Sequence, residues 1–302
     1  MGSPFNIIFV ADDSLKAAGI AKECYALVDS FNLAYSDYDP SSELNKVNAA
    51  AGVSPQKISP ALFDIILRSQ TAYYKSKGAY DITIGPLSQL WRKARKEKIF
   101  PDADIVTEKR KLVGFDNLMI DTVQKKVMLA KPRMRLDLGG IAKGYIAQKI
   151  IDFLTQKNIT QALADAGGDM AMSDAPDNTQ GWTIGINIPE TTDELLPRKL
   201  LLHNMAVATS GDAYQYIDHN GKRYSHIIDP KTGYGISSQR NVTVIASNGT
   251  DADWLTKPCS ILPIEEAKRL AVKMKAELLI TVLKGEKVIY YMTPGFKRYW
   301  KK

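Results

Sequence analysis

The sequence predicts an α+β protein in which two intertwined α/β lobes surround an extended, mostly antiparallel sheet. Helical periodicity dominates the first half of the chain, short apolar runs bounded by turn residues dominate the stretch after it, and no linker or low-complexity segment divides residues 1–302. One domain with two coupled lobes is therefore expected over the whole length.

The opening FNIIFVAD (5–12) is β-rich, and residues 14–36 repeat apolar side chains at helical spacing, with Ser14 placed as a cap. Turn formers crowd DPSSELNKVNAAAG (39–52), which reads as an ordered loop. A helix is expected from Pro60 to about Ser76, ending at Lys77-Gly78. YDITIGPLSQLW (80–91) reads as a short β-like run broken at Gly85-Pro86, then a helix carrying Trp91. A further helix follows Asp102, and NLMIDT (117–122) and KVMLAK (126–131) read as two strands joined by a turn.

In LDLGGIAKGYIAQKI (136–150) a strand-like run passes through a Gly-Gly pair into a helix reaching about Gln156. QALADAGGDMAMS reads as a strand that ends in a second Gly-Gly pair. GWTIGINIP, KLLLHNMAVATS, RYSHIIDP and NVTVIAS give further strands of antiparallel character, and a helix (264–274) and two strands (276–283, 287–293) close the chain.

Composition narrows the function. With 45% hydrophobic and 24% charged residues the chain has the material for a globular core. The net charge of +7 is scattered apart from WRKARKEK (91–98) and the terminal FKRYWKK, runs that read as a solvated helix face and a tail; nucleic acid is not an expected partner, and an anionic small molecule fits the charge as well. Cys24 and Cys259 lack metal-knuckle spacing, so neither a disulfide framework nor a zinc site is indicated.

Four loops combine glycine with polar residues: YDITIGP (80–86), LDLGGIAKG (136–144), DAGGDM (165–170) and ATSGD (208–212). Glycines there let backbone N–H groups approach an anion, and Lys143 could add a point charge on phosphate; ordinary turns are the alternative, since neither dinucleotide nor P-loop order is present. His226 in SHIIDPKTG is either a core histidine or a site residue. In TDADWLTKPCSIL (250–262), Thr250 or Asp251 could cap a helix beginning near Ala252. Asp253 is then either a first-turn charge or an oxygen ligand for a hard cation such as Mg²⁺.

Taken in order, FNLAYSDYDPSSELNKVN, YDITIGPLSQLW, LDLGGIAKGY, ADAGGDM, GWTIGI, VATSGDAYQY, YSHIIDPKTG, VTVIAS and ADWL resemble the ApbE family of FAD:protein FMN transferases over nearly the whole chain. The resemblance implies Mg²⁺-dependent cleavage of the FAD pyrophosphate and transfer of FMN to a threonine or serine of an acceptor flavoprotein, or hydrolysis to FMN and AMP. It implies FAD contacts from Met1, Tyr38, Ala79, Tyr80, Asp81, Asp137, Lys143 and His226, with Tyr38 and Tyr80 able to stack on rings. It implies a cation held by the Gly140 backbone, by Asp253, and by a hydroxyl or carboxylate four residues after Asp253. That position is Lys257, with Thr256 one residue early.

A charged lysine has no lone pair to give a metal. Either Thr256 moves into the ligand position, re-aimed by Pro258, or Lys257 supplies the positive charge itself and metal binding and transfer weaken; a lysine pointing to solvent is the third possibility. Asp253, His226 and Lys257 are the candidate catalytic residues. The resemblance also implies a periplasmic or extracytoplasmic location and a lipoprotein precursor anchored ahead of this chain.

Overall fold

The computed structural model describes residues 3–188, 194–211, 215–285 and 287–302. Strand β1 (Asn6–Phe9) leads into helix α1 (Ser14–Tyr35), whose cap is Asp13, not Ser14: the Asp13 carboxylate accepts from the N–H groups of Leu15 and Lys16. The expected loop at 39–52 contains a helix, α2 (Glu43–Ala49). Ser42 caps it by accepting from the Asn45 N–H at 3.1 Å, and Leu44 and Val47 bury one face, which outweighs the turn-forming composition. Strand β2 (Gln56–Lys57) and helix α3 (Pro60–Lys75) follow, with Ser59 as cap and Pro60 in the first turn, where its missing N–H costs nothing.

Residues 80–84 form a turn and not a strand. The Asp81 carboxylate accepts from the Thr83 N–H at 2.8 Å and hydroxyl at 2.7 Å, and only Ile84 makes a bridge, to Arg135. Gly85-Pro86 opens helix α4 (Gly85–Glu97). A Cβ at Gly85 would stand 2.6 Å from the Arg135 carbonyl oxygen, so this start requires glycine. Helix α5 (Ala103–Arg110) and strands β3 (Leu118–Asp121) and β4 (Lys126–Leu129) match expectation; β2, β4 and β3 form a small antiparallel sheet.

Residues 136–138 join no ladder; the segment is tethered by Asn48, whose side chain accepts from Leu136 N–H at 2.7 Å and donates to its carbonyl at 3.2 Å. Helix α6 (Ala142–Gln156) follows. The second Gly-Gly pair is a hairpin turn between β5 (Ala162–Asp165) and β6 (Met170–Met172), with Gly167 and Gly168 at φ +65° and +93°, a region that suits glycine. Strand β7 (Trp182–Ile184) pairs with β8 (Leu200–Leu202), and β9 (Met205–Ser210) is separate from β8 within the single run read at 199–210. Strands β10 (Tyr216–His219) and β11 (Lys222–Ser225) form a hairpin, so His226 lies just beyond a strand end.

Strand β12 (Arg240–Ala246), helix α7 (Gly249–Ile261), helix α8 (Ile264–Lys273) and strands β13 (Glu277–Lys284) and β14 (Lys287–Met292) complete the chain. The cap of α7 is Asn248, two residues before Thr250 and three before Asp251. The main sheet is antiparallel in the order β1-β5-β6-β9-β12-β13-β14.

Side-chain alternation divides this sheet into two faces. Ala162, Ala164, Ala206, Ala208, Val242 and Val244 face the core under α1, α6 and α7, while Leu163, Val207 and Ile245 join Ile184, Leu200 and Phe296 in a core on the opposite face. Alanines beneath the helices let α6 and α7 lie close to the sheet and to each other. At their crossing Gly144 meets Gly249, and a Cβ on Gly144 would be 2.1 Å from the Gly249 oxygen. Among the described residues, no helix is long and apolar enough to cross a membrane.

Candidate active site

The α6–α7 crossing sets the centre of the site. Asp253, one turn into α7, is fully buried, and both its carboxylate oxygens are engaged: Oδ2 accepts from the Gly144 N–H at 3.0 Å, and Oδ1 is 2.5 Å from Lys257 Nζ. An i,i+4 spacing on one helix face brings Lys257 over Asp253. The lysine stem lies against the Gly140 turn, where a Cβ would be 3.4 Å from Lys257 Cγ and Cε and 3.2 Å from a Tyr80 ring carbon.

A second ion pair adjoins the first. Lys143 Nζ is 2.6 Å from Asp169 Oδ2, and Asp169 is only 2% exposed. Burial, with the Asp253 charge adding to it, pushes the Asp169 carboxyl up to about 6 against the opposing pull of Lys143 and Lys257. For Lys143, burial lowers the pKa but Asp169 and Asp253 more than offset it, so the ammonium is held charged. Asp169 is not among the residues expected from the sequence, where its one signal is an acid directly after the Gly-Gly of DAGGDM.

A third group of charges lies at Asp137. Its carboxylate accepts from the Ser88 hydroxyl at 2.6 Å and the Gly139 N–H at 2.8 Å, and Arg92 Nη2 stands 2.8 Å from Asp37 and 3.7 Å from Asp137. Burial, then the like charge of Asp137, raises the Asp37 carboxyl, and Arg92 opposes both. Tyr38 is 71% exposed with the Arg92 guanidinium 4.0 Å from its ring centroid. The run 91–98, read as a solvated face, thus turns Arg92 inward. Arg95, a turn after the buried Trp91, is half-buried.

Trp91 donates to the Gly233 carbonyl at 2.8 Å, which ties α4 to the segment carrying His226. The His226 ring is half-buried with Nδ1 sealed from solvent. Burial, then the charges of Arg95, Lys257 and Lys143, lowers its pKa to about 4, so the ring is neutral near pH 7.

The sequence profile of the ApbE family matches residues 1–280. The chain belongs to the ApbE family. Among its curated relatives, an FAD:protein FMN transferase of Klebsiella pneumoniae is 32% identical over 85% of this chain and 78% of its own length. Another of that name from Haemophilus influenzae is 30% identical over 99% of this chain and 89% of its own. Solved ApbE structures have the same fold: the flavin transferase of Vibrio cholerae superposes with a TM-score of 0.87 at 25% identity, covering 99% of this chain and 96% of that one. The Thermotoga maritima protein gives 0.89 at 26% identity, covering 100% and 97%.

Against what the ApbE resemblance implied, the structure brings Tyr80, Gly140, Lys143, Asp253 and Lys257 together, with charge coupling from Lys143 and Lys257 to His226. Asp137 and Tyr38 meet through Arg92. Ala79 and Asp81 are buried, and the Asp81 carboxylate is occupied with its own turn. Tyr80 is 5% exposed and packs near Trp254, so its ring is not offered for stacking. Met1 lies outside the described residues.

The residues expected to hold Mg²⁺ do not fit it. Thr256 is fully buried and its hydroxyl donates to the Asp253 carbonyl at 2.7 Å, so Pro258 has not re-aimed it. The free-carboxylate ligand expected of Asp253 is neutralised by Lys257, and the third possibility, a lysine directed to solvent, is ruled out by the same ion pair. Among the described residues, no group of three or more His, Cys, Asp or Glu is arranged to hold a metal ion.

Proposed function

We propose that the protein binds FAD and transfers its FMN moiety to a threonine or serine hydroxyl of a partner protein, releasing AMP. The observation that supports this reading is the convergence of the Lys143–Asp169 and Lys257–Asp253 ion pairs, from distant chain segments, beside the Gly140 turn in a chain of the ApbE family. In the transfer the acceptor oxygen forms a bond to the FMN-side phosphorus. The bond from that phosphorus to the bridging oxygen breaks, AMP leaves with the electron pair, and the hydroxyl proton passes to solvent or a site base. The ammonium groups of Lys143 and Lys257 offset the charge that develops on the leaving phosphate. Asp137 with Arg92 borders the same loop and orients the nucleotide.

Incubation with FAD and an acceptor flavoprotein domain, in Mg²⁺ and separately in EDTA, tests the reading. Covalent flavin on the acceptor and equimolar AMP are expected; neither product under either condition overturns it. The Lys257–Asp253 pair favours one second reading, an FAD-binding protein without transfer, which predicts tight FAD binding and no AMP.

A further inference from the structure

We infer that Lys257 is a built-in replacement for a divalent cation: held on Asp253 beside the Gly140 turn, its ammonium supplies the positive charge there, so that FAD binding needs no metal ion. The inference rests on the FAD reading above and concerns which cation serves the same site.

The charge count is the first argument. Asp253 and Asp169 carry two negative charges, and Lys257 and Lys143 carry two positive ones within 2.5 and 2.6 Å of them. The buried cluster is therefore formally neutral. In the absence of ligand, adding a dication would leave two uncompensated charges beside carboxylates that are 0% and 2% exposed, an arrangement whose desolvation is not repaid. Replacing Lys257 by a neutral side chain leaves the cluster at −1 with a carboxylate oxygen unpartnered, the condition a hard cation favours.

Geometry is the second. The Lys257 stem is fixed against Gly140, and its ammonium has Asp253 Oδ1 at 2.5 Å and the Asp253 carbonyl at 3.3 Å. An ammonium has three donors, so one remains for a phosphate oxygen, and the side chain keeps 21% exposure through which to reach it. Asp253 then serves as the anchor that aims the lysine, and the site is set before ligand arrives.

The test measures FAD affinity by quenching of flavin fluorescence, in excess EDTA and in saturating Mg²⁺, and Mn²⁺ retention by the electron paramagnetic resonance of the free ion, without FAD. Wild-type affinity is expected to agree within about twofold between the two conditions, and Lys257→Thr to bind about tenfold more weakly in EDTA and recover in Mg²⁺. Wild type should leave Mn²⁺ free, and Lys257→Thr should retain it.

A wild-type affinity that rises about tenfold or more with Mg²⁺ overturns the inference, as does Mn²⁺ retained by wild type and released by Asp253→Asn. Should Lys257→Thr fail to fold by circular dichroism, the wild-type measurements still decide. Wild type that binds FAD but transfers nothing removes the transfer reading and leaves this inference standing; wild type that binds no FAD under either condition overturns both.

Discussion

Among single residues, Asp169 carries a large burial cost. Its carboxylate is 2% exposed and faces the charge of Asp253, so Lys143 is what keeps it ionised in the fold. Lys143→Met strands that charge and should lower unfolding free energy by about 3–5 kcal/mol, whereas Lys143→Met with Asp169→Asn should recover most of the loss. Urea titration of the three proteins checks this. His226 predicts a pH effect of defined sign. Its folded pKa is about 4 and an unfolded histidine titrates near 6.5, so between those values the unfolded chain binds more protons, and stability falls as pH is lowered through that window. His226→Gln, which cannot be protonated there, should lose less stability than wild type between pH 7 and about pH 4.5; equal slopes in matched urea titrations would refute the assignment.

Element-scale contacts explain what was legible in the sequence and what was not. The helical period of α1, the Pro60 start of α3 and the apolar, β-branched runs of β12 and β13 all depend on neighbours in sequence. The misread elements depend on distant partners. Helix α2 looked like a loop because its Asn45 and Asn48 are turn formers, yet both are spent on the 135–136 segment, Asn45 accepting from Arg135 at 2.6 Å and Asn48 clasping Leu136. The strand-like run at 136–138 is extended for the same reason, held by a side chain and by Ile82 instead of by a ladder. Within the site, the Asp253–Lys257 spacing was readable as i,i+4, but nothing local reveals that Lys143 faces Asp169 or that Arg92 turns to Asp37. Asn48→Ala should strand the buried Leu136 N–H and carbonyl and cost about 1–3 kcal/mol, read as a lower urea midpoint. Gly144→Ala should do more harm, since its Cβ would lie 2.1 Å from the Gly249 oxygen and 2.6 Å from Asp253 Cβ; a loss of about 1–3 kcal/mol or more, together with weakened FAD binding, follows from forcing α6 and α7 apart.

Across the whole molecule, the site is assembled from pieces that no single element holds. Asp37 and Tyr38 follow α1, Arg92 and Arg95 lie on α4, Asp137, Gly140 and Lys143 enter α6, His226 follows β11, and Asp253 and Lys257 lie on α7. Trp91, bonded to Gly233, and Asn48, bonded to Leu136, are the struts between these pieces. A ligand that touches several of them binds only when all are in place, so it stabilises the folded chain by mass action. FAD at about a hundredfold excess over its dissociation constant should add about 2.7 kcal/mol to unfolding free energy. For a chain this long, that is a rise of a few degrees in melting temperature. If Lys257 serves in place of a cation, the rise should be the same in EDTA as in Mg²⁺, and it should shrink in Asp137→Asn, which removes the charge that Arg92 and the Ser88 hydroxyl meet on the nucleotide loop. A thermal shift that appears only with Mg²⁺ would contradict the lysine's role, and no shift under either condition would contradict FAD as the ligand of this site.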